Sequence, residues 1–230
     1  MSGPRSLEFQ GVSVNFAGRM GLTDLSIVLD HHRIAVIGSN GSGKSTFARM
    51  LNGLVTASNG EVRIHGLDPV REAKALRRRV GFIFSNPDAQ IVMPTVTEDL
   101  EFSLRGSGLT GAQIAERVLA MLVLLDFVPL AEAPAHALSG GQKQLLALGA
   151  ILIGTPQLIV ADEPTALLDA ANTRRIGNLL IDTIEQQLVL VTHDLRLAAR
   201  CDIVLRFEHG RLVEHGDPQT VISRYEADHA

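Results

Sequence analysis

The stretch Ile34-Ala35-Val36-Ile37-Gly38-Ser39-Asn40-Gly41-Ser42-Gly43-Lys44-Ser45-Thr46-Phe47 decides the fold. Its first four residues make a short apolar run, and its centre fits G-x-x-x-x-G-K-[ST]. Beyond Lys44, the residues Phe47, Met50 and Leu51 fall on one face of a helix. A buried strand, a glycine loop and a helix in that order let backbone N–H groups close around phosphate.

Upstream, Leu7, Phe9, Val12, Val14 and Phe16 alternate around Gly11, and Leu25 to Leu29 adds a second strand pattern. Downstream, Glu61 to Ile64 reads as a strand, Arg71 to Arg79 precedes another at Val80 to Phe84, and the texture then changes. From about Asn86 to Ala137 the pattern predicts a short helix over Thr97–Leu104 and a longer one over Ala112–Leu125. In the longer one, the stripe Val118, Leu119, Leu122 and Leu125 reads as core. Strand and helix alternate again after Gly141: a helix, the strand Leu158–Ala161, a helix over Arg174–Gln186, and the strand Leu188–Val191. Such alternation predicts an α/β fold with a mostly parallel sheet covered by helices.

The 230 residues can bury a sizeable core, and 46% hydrophobic with 20% charged residues is ordinary for a globular chain. A formal charge of −4 disfavours bulk nucleic-acid binding. The single cysteine, Cys201, cannot form an internal disulfide, which suits a reducing compartment. Met1 to Gln10 does not read as a secretory signal. Leu145 to Ala161 is broken by Gly149, Gly154 and Pro156, so it reads as helix, turn and strand rather than a membrane span. Membrane association would have to come through a partner. The eight histidines lack convincing zinc spacing, and Arg77-Arg78-Arg79 reads as cations at a helix C-terminus.

The chemistry follows from the residue types. Loop N–H groups and the helix start supply a fixed positive field, Lys44 would reach the outer phosphates, and the Ser45 hydroxyl would ligate magnesium. Gly38, Ser39, Asn40, Gly41, Ser42, Gly43 and Thr46 complete the phosphate loop. Leu158-Ile159-Val160-Ala161 runs straight into Asp162 and Glu163. Asp162 is placed to hold the metal or its water, and Glu163 to polarise the attacking water.

Together with Leu138-Ser139-Gly140-Gly141-Gln142, these segments resemble the ATP-binding-cassette (ABC) ATPases over residues 6 to 222. The resemblance implies a P-loop NTPase core of RecA type over 1–85 and 138–230. It also implies a small N-terminal antiparallel β subdomain and a helical subdomain over 86–137. It implies a site completed by two chains, in which Ser139, Gly140, Gly141 and Gln142 meet the γ-phosphate held by the partner's loop. Ala166-Leu167-Leu168-Asp169 matches the segment whose Asp169 contacts the opposite subunit, and His193 matches a histidine that senses the γ-phosphate. Phe16 matches a position that stacks on adenine, while its strand pattern equally allows ordinary core. ATP and Mg2+ are the implied ligands. A head-to-tail homodimer is favoured over a heterodimer.

One position departs from the family. After Val80 to Phe84, where a glutamine is usual, stands Ser85, too short for the same reach; this substitution is expected to loosen communication between nucleotide and transport partner. Gln90 lies five positions on. Asn86-Pro87-Asp88-Ala89-Gln90, followed by Thr97 to Phe102, is similar to ATPases of energy-coupling-factor (ECF) importers, and most so to biotin transporter ATPases. The partners so implied are a transmembrane coupling subunit and a substrate-binding membrane subunit. The chain would lie peripherally on the cytoplasmic face of the membrane. Asp88, Glu98, Asp99 and Glu101 form either an acidic groove for the coupling subunit's arginines or a solvated helix surface. Alternative functions are a cobalt or nickel importer ATPase, or a soluble non-transport ABC ATPase.

Overall fold

The structure, a computed structural model, describes residues 5–166 and 168–229. Three antiparallel strands open the fold: β1 (Leu7–Phe16) lies between β2 (Arg19–Leu29) and β4 (Asn59–Ile64). Within β1 the buried residues are Leu7 and Phe9, then Val12 and Val14. That change of phase falls at Gly11, whose φ of +57° marks a bulge.

The second sheet has six strands in the order β5 (Val80–Ile83), β6 (Leu158–Asp162), β7 (Gln187–Val191), β3 (Arg33–Ile37), β8 (Ile203–Glu208), β9 (Arg211–Gly216). All neighbours pair in parallel except β9, which returns antiparallel from β8. The inner strands β6, β7 and β3 are apolar except at one end each, at Asp162, Gln187 and Arg33, as a sheet buried on both faces requires. Alternate residues serve different cores. Ala35, Ile37, Ile159, Ala161, Leu188 and Leu190 face one cluster; Ile34, Val36, Leu158, Val160, Val189 and Val191 face the other.

The second cluster lies between the two sheets and takes in α1 (Lys44–Met50) and Leu76 of α2 (Ala73–Arg79). Here Phe47 sits between Phe9 and Phe207, ring centroids 5.2 and 5.3 Å away. The first cluster holds α3 (Val96–Ser103), α4 (Gly111–Leu124), α5 (Gly140–Leu152), α6 (Ala170–Asn178), α7 (Leu195–Ala198) and α8 (Pro218–Asp228). Its helices start on side-chain caps: Thr95 with Glu98, Thr110 with Gln113, and Ser139 with Gln142 each form a reciprocal capping box.

The expected helix over Arg174–Gln186 instead begins at Ala170, widens at Leu179–Thr183, and ends there, with Ile184 already extended. The Arg33 guanidinium ends it, donating to the carbonyls of Ile181, Ile184 and Gln186. Leu119 is 56% exposed rather than core, while Val118, Leu122 and Leu125 are buried as expected. The elements β8, β9, α7 and α8 have no counterpart in the sequence reading. Among the described residues, no helix is long and apolar enough to cross a membrane.

Candidate functional site

The loop between β3 and α1 can take its shape because its glycines adopt backbone angles closed to other residues. Gly43 has φ +107°, and a Cβ there would meet the Gly21 carbonyl oxygen at 2.8 Å. Lys44, buried, folds back over the loop and donates to the carbonyls of Gly38 at 2.8 Å and Ser39 at 2.9 Å. Burial holds its pKa below the usual lysine value, against the pull of Glu163 and Asp162.

A groove of 420 Å³ opens beside this loop, lined by Phe16, Met20, Gly21, the segment Asn40 to Thr46, Glu163 and His193. Phe16 is in phase with Val12 and Val14 yet 48% exposed, because it lies at the strand's end. Its ring rests against Gly21, where a Cβ would come within 2.6 Å of it. The core alternative for Phe16 therefore falls away. Met20 and Gly21 join the groove without any signal in the sequence reading; only the hairpin between β1 and β2 brings them there.

Asp162 ends β6 opposite α1, where Ser45 Oγ donates to its Oδ1 at 3.1 Å. Burial raises the Asp162 carboxyl above the ordinary aspartate value, and the Ser45 hydrogen bond partly offsets this. Glu163 follows in a left-handed conformation, φ +54°. Its Oε2 accepts the His193 backbone N–H at 3.2 Å, and its Oε1 lies 3.0 Å from His193 Nε2. That second contact is close but lacks hydrogen-bond geometry, so Oε1 stays buried without a donor. Burial raises the Glu163 carboxyl and lowers the His193 imidazole. Both shifts disfavour the charged form, so burial works against an ion pair between these two groups.

These residues fit a magnesium–nucleotide ligand on their own chemistry. The Ser42 hydroxyl and Glu163 Oε1 are buried polar atoms without hydrogen-bond partners, and both residues line the groove. A hydroxyl and a carboxylate, Ser45 and Asp162, make the hard-oxygen pair that magnesium takes together with phosphate oxygens.

Ser139, Gly140, Gly141 and Gln142 are not part of this groove. Ser139 caps α5, accepting the Gln142 N–H at 3.4 Å, while Gln142 Oε1 accepts the Ser139 N–H at 2.8 Å. Gly141 is closely covered: a Cβ there would lie 2.3 Å from the Asn172 carboxamide carbon. Asn172 also donates from Nδ2 to Asp169 Oδ2 at 2.9 Å, and Asp169 Oδ1 accepts the Asn172 N–H at 2.8 Å. These hydrogen bonds hold the Asp169 carboxyl below its usual range. Asn172, absent from the sequence reading, so joins the starts of α5 and α6. Leu167 lies outside the described residues.

Of the two readings left open for Asp88, Glu98, Asp99 and Glu101, neither an acidic groove of four free carboxylates nor a fully solvated surface describes all four. Asp99 is 2% exposed, and its Oδ1 accepts the N–H groups of Val92 and Met93 at 2.9 and 3.0 Å. Asp88 pairs with Lys143 Nζ at 2.7 Å. Glu98 closes the cap of α3.

Residues 22–166 match the family model described as ABC transporter. The chain is 39% identical over 220 residues to the biotin transport ATP-binding protein BioM of Rhizobium etli, covering 96% of this chain and 97% of that one. It is 33% identical over 213 residues to the energy-coupling factor transporter ATP-binding protein EcfA1 of Latilactobacillus sakei, covering 90% and 76%. Among solved structures it resembles CbiO1 of Clostridium perfringens, part of the CbiONQ ABC transporter complex. The TM-score is 0.87 at 27% identity, covering 99% of this chain and 93% of that one.

Proposed function

The chain belongs to the ABC transporter family of ATPases, and we propose that it energises an ECF-type membrane importer of a vitamin, biotin foremost, through ATP-driven closure of a dimer. The observation that carries this reading is a separation. One groove gathers Phe16, Lys44, Glu163 and His193, while the helix-opening Ser139 to Gln142 lies outside it. A second copy, docked head to tail, supplies that segment to the first copy's γ-phosphate, and the exchange is reciprocal.

Within one half-site, Phe16 stacks on the adenine, and the N–H groups from Gly38 to Thr46 hold the phosphates. Lys44 leaves the carbonyls of Gly38 and Ser39 for the outer phosphates. Ser45 and Asp162 hold magnesium, which when bound neutralises charge on the phosphate oxygens. Glu163 takes a proton from the attacking water, and its raised pKa makes it a stronger base than an ordinary carboxylate. His193 stands beside it to sense the γ-phosphate, and the partner's Ser139, Gly140 and Gly141 face that phosphate with a hydroxyl and helix N–H groups. Asp169 contacts the opposite subunit, with its orientation set by Asn172.

Residues 86–137 serve as the helical subdomain, moving against the core of 1–85 and 138–230 as the dimer closes. The chain sits on the cytoplasmic face, held by a transmembrane coupling subunit, with a substrate-binding membrane subunit completing the importer. The test is to purify the tagged chain from membranes, identify the integral-membrane proteins that accompany it, and measure uptake of labelled biotin in vesicles. Bound membrane subunits with ATP-dependent biotin uptake are expected. Uptake of cobalt or nickel instead would reassign the cargo, and a free dimer without membrane subunits would refute transport.

A further inference from the structure

Gln90 reaches back across the end of β5. Its Oε1 accepts the Phe84 N–H at 2.8 Å, and its Nε2 donates to the Phe82 carbonyl at 3.0 Å. The Gln90 amide thus bonds as a further strand would, and pins the backbone just before Ser85. From the other side, Gln144 of α5, 2% exposed, donates from Nε2 to the Phe84 carbonyl at 3.2 Å. The adjacent Lys143, half-buried, donates from Nζ to Asp88 Oδ1 at 2.7 Å, and Asp88 itself is exposed. Phe84 therefore has its N–H held by one side-chain amide and its carbonyl by another, and the segment 84–90 is tied at two points to the first turns of α5.

Those turns begin at Ser139, the start of the segment assigned above to the partner's phosphate. Lys143 is one helical turn from Ser139, so a displacement at one reaches the other through rigid backbone. An exposed ion pair alone would be a weak tether. The buried Gln144 amide makes the tether specific, because losing it leaves the Phe84 carbonyl short of a donor.

We propose that Lys143 and Gln144 are positioning residues that lock the segment 84–90 to the helix bearing Ser139, so that phosphate capture and movement of that segment occur together. With Ser85 too short to bridge nucleotide and segment directly, this latch is the mechanical route between them. The inference rests on the two-chain site proposed above. It requires no contact between Lys143 or Gln144 and nucleotide.

The test uses the full chain carrying Glu163→Gln, which slows hydrolysis, with amide hydrogen exchange read over residues 84–90 with and without Mg-ATP. Size-exclusion chromatography in parallel reports the dimer. Mg-ATP is expected to slow exchange in 84–90 by about threefold or more. Adding Lys143→Met and Gln144→Leu together should abolish that change while the ATP-dependent dimer persists, and Lys143→Arg with Gln144 retained should keep it. An ATP-induced change undiminished in the double variant, or no change in the parent chain although it dimerises, overturns the latch. Absence of any ATP-dependent dimer in the parent refutes the two-chain site itself, a separate result. If the double variant loses its cooperative thermal transition, the single variants Lys143→Met and Gln144→Leu decide: each must weaken the change, and an unchanged response in both overturns the proposal.

Discussion

At the scale of single residues, Glu163 carries the most exacting requirements. Its carboxyl is raised by burial, so activity should fall as pH drops through a value above that of an ordinary glutamate. Glu163→Gln should lower kcat by about 10²–10⁴ and abolish that acid limb, as a pH profile of steady-state hydrolysis will show. The same shift has a stability consequence of definite sign. A carboxyl whose folded pKa exceeds its unfolded one helps the fold below the unfolded pKa and loses that help as pH rises through the folded value. Above the folded value the buried charge therefore weakens the nucleotide-free chain. Glu163→Gln should raise its Tm at pH above the folded value, with the gain vanishing below the usual glutamate range; calorimetry across pH reads this directly. Across the groove, Phe16→Ala should weaken nucleotide affinity about 5- to 150-fold, the worth of one stacked base. Gly21→Val should cause a similar loss by evicting the ring, measurable by titration with a fluorescent nucleotide.

At the scale of elements, α1 is fixed from both ends: its start by the phosphate loop, its body by Phe47 between β1 and β8. Phe47→Ala should cost about 3–5 kcal/mol in denaturant unfolding. Phe47 shows what the sequence made legible: apolar spacing after Lys44 names the buried face directly. Phe16 shows where such spacing runs out. It shares the phase of Val12 and Val14, and period two carries no information about where the covering layer ends. The end of the helical run that follows α6 was misplaced for a related reason, since the Arg33 guanidinium that closes it lies far away in the chain. Asp88 and Asp99 look alike in a polar helical segment, but one pairs with Lys143 and the other is spent on backbone N–H groups. Local pattern reveals charge, not its partner. The phosphate loop and the Asp162–Glu163 step were legible because each packs its function into consecutive residues. Met20, Gly21 and Asn172 were not, because only folding brings the first two to the groove and the third against Gly141.

At the scale of the whole molecule, the two-chain reading makes a quantitative demand. Chains with Lys44→Ala and chains with Ser139→Arg should each be inactive alone. Mixed in equal amounts, they should recover about a quarter of wild-type ATPase activity, since half the dimers hold one complete site of two. Recovery absent from the mixture, or full activity in either variant alone, contradicts reciprocal assembly; a coupled phosphate-release assay distinguishes these outcomes. The six-stranded sheet divides the interior in a way that bears on every future substitution. Val189 and Leu190 are joined by a peptide bond yet contribute to opposite hydrophobic clusters. Truncating both should give a penalty equal to the sum of the two alone, whereas Val189 and the distant Val36, which share a cluster, are candidates for coupling. Chain neighbours here are energetic strangers, and a mutational map of this protein should be drawn by wall rather than by sequence.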